Sequence, residues 1–193
     1  WTIPGRISVV ESPDFEMRYW ADVAFGQARK LLAGSHRLDF HHAFGRVYAP
    51  AKYAVSDPDI YPLIEGERKV PHAEHEATAG WQPCVGNPKV QDMAVRYVLE
   101  TYAGAPHLGS ISLSVNDGGG NHCMCELCRA MYIPGAFDDP LNARVSDRYF
   151  RFYNKVIERV VQTKPDARIA VLGYGHCATP PEQTTIHDRI CVF

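Results

Sequence analysis

Two groups of residues, separated by a short glycine-rich run, have types and spacing that could do chemistry. The first is Asn116-Asp117, which follows the alternating segment Ser110-Ile-Ser-Leu-Ser-Val115. That alternation predicts a half-buried strand that ends at the Asn-Asp pair. A carboxylate at the carboxyl end of a strand in an α/β protein can act as a general acid, a general base or a hydrogen-bond acceptor for a hydroxyl group. Asp117 can equally cap a turn, as Asn-Asp-Gly sequences commonly do.

The second group is a cysteine cluster directly after Gly118-Gly-Gly120. Cys123-x-Cys125-x-x-Cys128 places three thiols within one loop and one helical turn. Thiolates at this spacing can share a tetrahedral Zn²⁺, with the fourth ligand supplied by His122, Cys84 or another distant residue. The alternatives are a disulfide between two of the three, or reduced structural thiols. Zinc or a disulfide would rigidify the loop after Asp117. Three neighbouring thiols argue against a cysteine nucleophile.

Histidine and aromatic residues stand near the ends of other predicted strands. His41-His42 ends one of them, and one of the pair must point inward because strand side chains alternate. Trp81 and Tyr174 are aromatic residues that could stack on sugar rings. We take His42, Trp81, Asn116 and Tyr174 as candidate substrate-binding residues and Asp117 as the candidate catalytic residue. A hydrogen-bonded loop histidine and ordinary core aromatics are the alternatives.

The elements that must position these residues alternate between short apolar strands and longer amphipathic helices. Asn87-Pro88 predicts a helix start, with Asn as the N-cap and Pro at the first helical position. A stretch from 45 to 80 has several prolines and no sustained period, so we expect a long inserted loop region with a short helix near Asp57-Pro58. Predicted strands cover 15–18, 38–44, 80–85, 110–115, 168–174 and 189–193, and predicted helices cover 22–32, 88–101 and 145–163.

Strands alternating with helices predict an α/β fold with a parallel sheet. Two architectures fit, an open doubly wound sheet and part of a (β/α)8 barrel. No GxGxxG or GxxxxGK[ST] pattern supports a nucleotide-binding open sheet. A chain ending on a strand suits a barrel cut after its sixth strand. We therefore expect residues 1–193 to form a single incomplete TIM-type barrel domain with about six strands, lacking the C-terminal strands.

Composition limits the class of partner. The chain has 193 residues, a hydrophobic fraction of 46% and a formal net charge of −2. This charge gives no electrostatic basis for binding nucleic acid or an anionic membrane. No apolar run approaches the ~20 residues of a spanning helix, and the N-terminus lacks a signal-peptide pattern. A carboxylate that acts as acid or base would require no cofactor, so zinc would be structural. The oligomeric state is not predicted.

Several motifs, taken in order, resemble one bacterial family. They are His41-His-Ala-Phe44, Tyr61-Pro-Leu-Ile-Glu-Gly-Glu-Arg68, Trp81-Gln-Pro-Cys-Val-Gly-Asn-Pro88, Ser114-Val-Asn-Asp117 and Cys123-Met-Cys-Glu-Leu-Cys128. Together they resemble the family of domain of unknown function 4838, which is similar to glycoside hydrolases with (β/α)8 barrels, loosely the α-glucuronidases. The resemblance covers roughly residues 36 to 193.

This resemblance implies a carbohydrate-active barrel from an exported bacterial protein. Many barrel glycosidases carry an Asn-Glu pair at the end of the fourth strand, and here the pair is Asn116-Asp117, one methylene shorter. Their second carboxylate commonly follows the seventh strand, so we expect this chain alone to be inactive. A non-catalytic carbohydrate-binding barrel and a zinc-stabilised structural or interaction module are the alternative functions.

Overall fold

The computed structural model describes residues 37–72, 80–118, 120–135 and 144–193. The predicted strand at 15–18 and the predicted helix at 22–32 lie outside these ranges. The described strands are β1 (Arg37–Leu38), β2 (Leu63–Ile64), β3 (Glu67–Arg68), β4 (Leu108–Ser112), β5 (Ile169–Val171) and β6 (Ile190–Val192). The described helices are α1 (Phe44–Val47), α2 (Pro50–Tyr53), α3 (Pro88–Gly104), α4 (Glu126–Arg129) and α5 (Ser146–Thr163), with 3₁₀ turns at Pro58–Ile60 and Gly175–Cys177.

Four of the strands form one sheet in the order β1-β4-β5-β6. The pairs β4–β5 and β5–β6 are parallel, with Ile169 opposite both Ile111 and Ile190. A parallel bridge between His42 and Ser114 continues the pairing beyond β1. Helix α3 precedes β4 and helix α5 precedes β5, as the alternating pattern predicts. The carboxyl ends of these strands therefore lie along one edge of the sheet.

The two long helices, α3 and α5, are those that the helical periodicity of the sequence predicts. The Asn87 side chain accepts a hydrogen bond from the Lys89 N–H at 2.9 Å, which caps α3 as predicted. Helix α5 ends at Thr163, directly before Lys164-Pro165, where the sequence predicts its end. The two helices pack on each other, and α3 also packs on β4. Their apolar faces cover the Ile111, Leu113 and Val115 side of the sheet, which is buried.

Serine side chains on the opposite face of β4 explain why β1 is short. The hydroxyls of Ser110, Ser112 and Ser114 donate to the backbone carbonyls of residues 39, 41 and 40. These hydroxyls take the place of backbone N–H donors that a regular ladder would supply. The predicted strand at 38–44 is therefore wrong beyond Leu38, and α1 begins within it.

The segment 80–85 is not a strand, which corrects the prediction made from its apolar residues. It crosses the carboxyl end of β4, where the Gly80 N–H donates to the Asp117 carbonyl at 2.9 Å. Gln82 then pairs through its side-chain amide with the Asn116 backbone, at 3.0 Å in both directions. Pro83 has no N–H to continue a ladder. A side chain thus replaces the backbone pairing that the sequence led us to expect.

The region from 45 to 72 has the irregular character that was predicted. It contains α1, α2, the 3₁₀ turn at Pro58–Ile60 and the antiparallel hairpin of β2 and β3. Glu65 and Gly66 connect that hairpin with φ angles of 51° and 81°, the left-handed pair that tight two-residue turns require. In the described part of the chain, no helix is both long and apolar enough to cross a membrane.

Candidate functional site

The carboxyl edge of the sheet brings together three of the predicted site residues. His42 follows β1, Asp117 follows β4 and Tyr174 follows β5. The His42 Nε2 atom lies 3.8 Å from the Asp117 Oδ1 atom. The ring centroids of His42 and Tyr174 are 5.7 Å apart in an edge-on arrangement. We call these three residues the rim site.

Hydrogen bonding fixes the orientation of the His42 ring. The Nδ1 atom lies 2.6 Å from the Val115 carbonyl, which can only accept a hydrogen bond. Nδ1 therefore carries the proton, and in the neutral ring Nε2 offers its lone pair toward Asp117 and solvent. The Asp117 side chain is 53% exposed, and its Oδ1 accepts the Gly118 N–H at 2.8 Å. The carboxylate caps its own turn and still has oxygen lone pairs available to a ligand.

Tyr174 gives the rim site an exposed apolar surface. The residue is 52% exposed. Its ring packs edge-on against the His42 ring, and about half of the residue is exposed to solvent. An aromatic ring beside a carboxylate and an imidazole can contact a ligand that has both apolar C–H faces and hydroxyl groups.

Asn116 and Trp81 lie beneath the rim rather than on it. The Asn116 side chain accepts from the Gly45 N–H at 2.7 Å and donates to the Trp81 carbonyl at 2.9 Å. Trp81 is 6% exposed and its ring meets the edge of Tyr61 at 5.3 Å. Each Asn116 amide atom thus already has a backbone partner, and the Trp81 ring faces the core. In this arrangement both residues support the position of Asp117.

Two histidines line a small cavity next to Tyr174; the sequence indicated His122 only as a possible zinc ligand and did not indicate His176. The cavity has a volume of about 20 Å³ and is lined in part by Asn116, His122 and His176. His122 Nε2 lies 3.0 Å from His176 Nδ1, and His122 Nδ1 lies 2.8 Å from the Tyr149 hydroxyl. This volume admits a single water or hydroxyl group and no sugar ring. A larger ligand must therefore contact the rim from outside.

Burial keeps His122 neutral. Desolvation, together with the positive charge of Arg148 and the neighbouring His176, lowers the pKa of His122 to about 3. A neutral imidazole donates through one nitrogen and accepts through the other, so it can connect Tyr149 to His176 in a continuous hydrogen-bonded row. Nothing in the sequence analysis predicted this row.

The cysteine cluster is a second centre, and the structure adds a fourth member to it. The Sγ atom of Cys84 lies 3.4 Å from that of Cys123, 3.5 Å from that of Cys125 and 3.7 Å from that of Cys128. All four Sγ atoms lie within 4.8 Å of one another. We call these four residues the cysteine centre. Of the fourth ligands that the spacing allowed, Cys84 is the one brought to the site, and His122 instead faces Tyr149 and His176.

Three loops converge to build the cysteine centre. Cys123 belongs to the loop after β4, where the Met124 N–H donates to the Leu63 carbonyl of β2 at 2.7 Å. Cys125 and Cys128 lie at the start of α4 and within it. Cys84 comes from the segment before α3. Gly86 follows it, and a Cβ atom there would lie 2.7 Å from the backbone of Leu127 and Cys128. Only glycine allows that approach.

Backbone N–H groups point at the sulfur atoms. The Leu63 N–H donates to the Cys123 Sγ at 3.2 Å, and the Gly86 N–H donates to the Cys128 Sγ at 3.3 Å. Hydrogen bonds from the Cys128 and Cys84 thiols, with the backbone N–H groups of Leu63 and Cys125, hold the pKa of Cys123 well below its usual range. The same thiol contacts raise the pKa of Cys84 and of Cys128, so negative charge is concentrated on Cys123. Donors aimed at sulfur stabilise a thiolate, the form that binds metal.

The distances in the cysteine centre fit a metal ion. A tetrahedral Zn²⁺ with Zn–S bonds of ~2.3 Å has neighbouring sulfurs roughly 3.8 Å apart, close to the separations from Cys84. A disulfide needs about 2.05 Å between sulfurs. All six cysteines are free thiols in the structure, so no disulfide joins any of them. Soft thiolate donors in a tetrahedral set are typical of zinc and of iron–sulfur centres.

Comparison with known proteins gives one match. The model of the family described as domain of unknown function (DUF4838) matches residues 2–193. Neither the curated proteins nor the solved structures contain a match to this chain. Because the family model spans nearly every residue, including the segments that carry the rim site and the cysteine centre, the chain belongs to the DUF4838 family.

Proposed function

We propose that this chain is the carbohydrate-contacting part of a glycoside hydrolase-like (β/α) barrel. The observation that carries the proposal is the convergence of His42, Asp117 and Tyr174 at the carboxyl ends of three neighbouring strands of a parallel sheet. This is the edge at which barrel enzymes bind their substrates. The resemblance of the sequence motifs to a family similar to barrel glycosidases points to the same substrate class.

Curvature of the sheet supports the barrel. Phe40 follows β1 and Phe193 follows β6, and these two strands lie at opposite ends of the order β1-β4-β5-β6. Their rings nevertheless stack with centroids 4.7 Å apart. Strands in a flat sheet lie about 4.8 Å apart, so rings on the first and fourth strands would be far from each other. The contact therefore favours a strongly curved sheet, as in a barrel.

In the proposed site Asp117 serves as the acid/base or as the acceptor of a sugar hydroxyl. His42 provides a second hydrogen-bond acceptor through Nε2. Tyr174 stacks against the C–H face of a sugar ring. Asn116 and Trp81 hold this edge from beneath through the hydrogen bonds described above. Hydrolysis by two carboxylates needs a partner for Asp117, which we propose lies in the full-length protein on a later strand.

The test uses the full-length protein and a panel of p-nitrophenyl glycosides and plant polysaccharides. We expect Asp117→Asn to lower kcat/KM by about 10²-fold or more, because it removes a proton-transfer group, while the thermal unfolding curve is retained. The matched control is Asp92→Asn on the outer face of α3, which loses only an exposed ion pair with Arg159. Unchanged turnover in Asp117→Asn would remove Asp117 from the mechanism.

A non-catalytic carbohydrate-binding barrel is the alternative that this experiment separates. The exposed ring of Tyr174 favours it equally, since stacking requires no chemistry. In that case the full-length protein binds oligosaccharides on a glycan array without releasing products. Tyr174→Ala would weaken oligosaccharide binding by roughly 3- to 10-fold. The wild-type protein and Asp117→Asn would both show no turnover.

A third role, structural stabilisation by zinc, is compatible with either of these and is favoured by the four Sγ atoms of the cysteine centre. We propose that the centre binds one Zn²⁺ and stabilises the loop that carries Asp117. The residues present fit the ion in donor type, number and spacing. Protein purified under reducing conditions should contain about one zinc per chain by elemental analysis, and a stoichiometry near zero would refute the zinc role.

A further inference from the structure

The core next to the cysteine centre contains a fully buried positive charge. Arg148 of α5 has 0% of its surface exposed. Its Nη1 donates to the Cys123 carbonyl at 3.0 Å and to the Tyr132 hydroxyl. Its Nε and Nη2 atoms are buried and have no hydrogen-bond partner in the part of the chain that the structure describes. An arginine is always charged in proteins, so the cost of removing it from water must be offset nearby.

No carboxylate among the described residues supplies that offset. Within residues 37–72, 80–118, 120–135 and 144–193, the structure has no ion pair between Arg148 and an Asp or Glu. The guanidinium instead lies 5.1 Å from the Tyr132 ring centroid and 5.3 Å from that of Tyr149. Ring faces stabilise a buried cation by less than its desolvation costs. A stronger negative charge is needed.

Among the described residues, the cysteine centre is the source of negative charge beside Arg148. The Arg148 guanidinium bonds to the backbone of Cys123 itself, and it interacts electrostatically with Cys128. A second arginine approaches from the hairpin, since Arg68 Nη1 lies 3.9 Å from the Cys123 Sγ. Four thiolates around one Zn²⁺ carry a net charge of −2. Two arginines bring that charge to zero.

We propose that Arg148 and Arg68 are the charge-balancing cations of a zinc tetrathiolate in the cysteine centre, with Arg148 the main determinant of zinc affinity. The inference rests on the zinc role proposed above and extends it. The buried arginine and the dianionic centre each offset the desolvation of the other. If all four cysteines were neutral thiols, the charge of Arg148 would have no compensating negative charge. The burial of Arg148 therefore favours the form of the centre in which all four cysteines are deprotonated.

The experiment measures zinc affinity by competition with a chromophoric chelator, on the whole chain under reducing conditions. We expect Arg148→Gln to weaken zinc binding by 10- to 100-fold, the usual effect of losing an outer partner of a metal ligand. Arg151→Gln is the matched control. It lies one turn along the same helix and bonds to Thr184 and the Met131 carbonyl, away from the sulfurs. We expect its affinity to stay within about twofold of wild type.

Two further variants separate charge from shape. Arg148→Lys keeps the charge and should bind zinc more tightly than Arg148→Gln. Equal loss in both would overturn the assignment of a charge-balancing role. Arg68→Met should weaken zinc binding by a smaller factor than Arg148→Gln. Because Arg68 is exposed, this variant should fold, and it still tests the charge balance if Arg148→Gln does not fold.

The outcomes distinguish this inference from the proposal on which it rests. Wild-type protein that binds no zinc refutes the zinc role itself. Wild-type protein that binds zinc, together with Arg148→Gln and Arg68→Met at unchanged affinity, overturns the charge balance alone.

Discussion

Asp117 and Cys123 belong to the same loop after β4, yet their surroundings differ in every respect. The Asp117 side chain is 53% exposed, and it contacts the N–H of the next residue and the ring of His42. Cys123 is completely buried and lies among thiols, a backbone N–H and two arginines. The loop thus connects a buried region, whose side chains are held by protein contacts, to an exposed region whose side chains can contact a ligand.

This difference suggests how the two regions divide their work. Groups whose hydrogen bonds are all satisfied by protein stabilise the fold but have little left to offer a ligand. The cysteine centre and Asn116 are of this kind. The rim site keeps a free carboxylate oxygen, an imidazole nitrogen and an aromatic surface exposed. We therefore expect substitutions in the first region to change stability and substitutions in the second to change binding or turnover.

The largest effect should come from Cys84→Ser. The Cys84 Sγ atom is within 3.7 Å of the other three sulfurs, so its loss breaks the centre. A hydroxyl does not replace a thiolate ligand, and loss of a structural metal is among the most damaging changes known. We expect a loss of about 4 kcal/mol or more in the free energy of unfolding. Urea unfolding, followed with and without added zinc, measures it.

Cys191→Ser is the matched control for this change. Cys191 is a half-buried free thiol in β6, outside the cysteine centre. Its substitution should cost less than about 1 kcal/mol and leave zinc content unchanged. If the two variants were equally stable, the cysteine centre would not be the region that stabilises the loop, and the contrast between the two regions would be lost.

Asn116→Ala should have an intermediate effect, because this residue supports the rim from beneath. Removing its amide leaves the Gly45 N–H and the Trp81 carbonyl buried without partners. We expect a loss of roughly 2–4 kcal/mol in unfolding free energy. Asn154→Ala is the comparison, since Asn154 also bonds to two backbone groups, of Thr185 and His187, but at a half-buried position.

Water can replace the lost amide at Asn154, so that variant should lose only about 1 kcal/mol. An Asn116→Ala variant as stable as Asn154→Ala would show that Asn116 is not required for the fold. Asn116 would then again be a candidate for direct contact with a ligand, as Asp117 is.

Much of this arrangement was accessible from the sequence where its causes are local. Helical periodicity and the Asn87-Pro88 start predicted α3, and the alternation from Ser110 to Val115 predicted β4. The convergence of His42, Asp117 and Tyr174 follows from parallel strands whose ends share one edge. The prediction failed at 80–85 and beyond Leu38, where side chains take over backbone pairing. Where a side chain replaces a backbone hydrogen-bond partner, that side chain can come from a residue far away in the sequence.

The cysteine centre shows the same limit. The spacing of Cys123, Cys125 and Cys128 indicated a shared site, because one loop and one helical turn suffice to bring them together. Cys84 precedes Cys123 by 39 residues, and it was one of several candidates for the fourth position. Arg148 gave no signal at all, because a charged residue on an amphipathic helix is normally exposed. It lies against the Tyr132 and Tyr149 rings and the Cys123 backbone, contacts that form only in the folded chain.

The smallest effect on stability should come from Asp117→Ala, and this makes it the sharpest test of the comparison. The pair with His42 spans 3.8 Å between two partly exposed groups. Exposed pairs of this kind contribute little, so we expect a change within about 0.5 kcal/mol in the free energy of unfolding. Urea unfolding beside Cys84→Ser provides the direct contrast. A loss above 2 kcal/mol would mean that Asp117 acts chiefly as a turn cap that holds the glycine loop. Any loss of turnover in its variants would then reflect a damaged loop, and the rim site would have no independent carboxylate to offer a substrate.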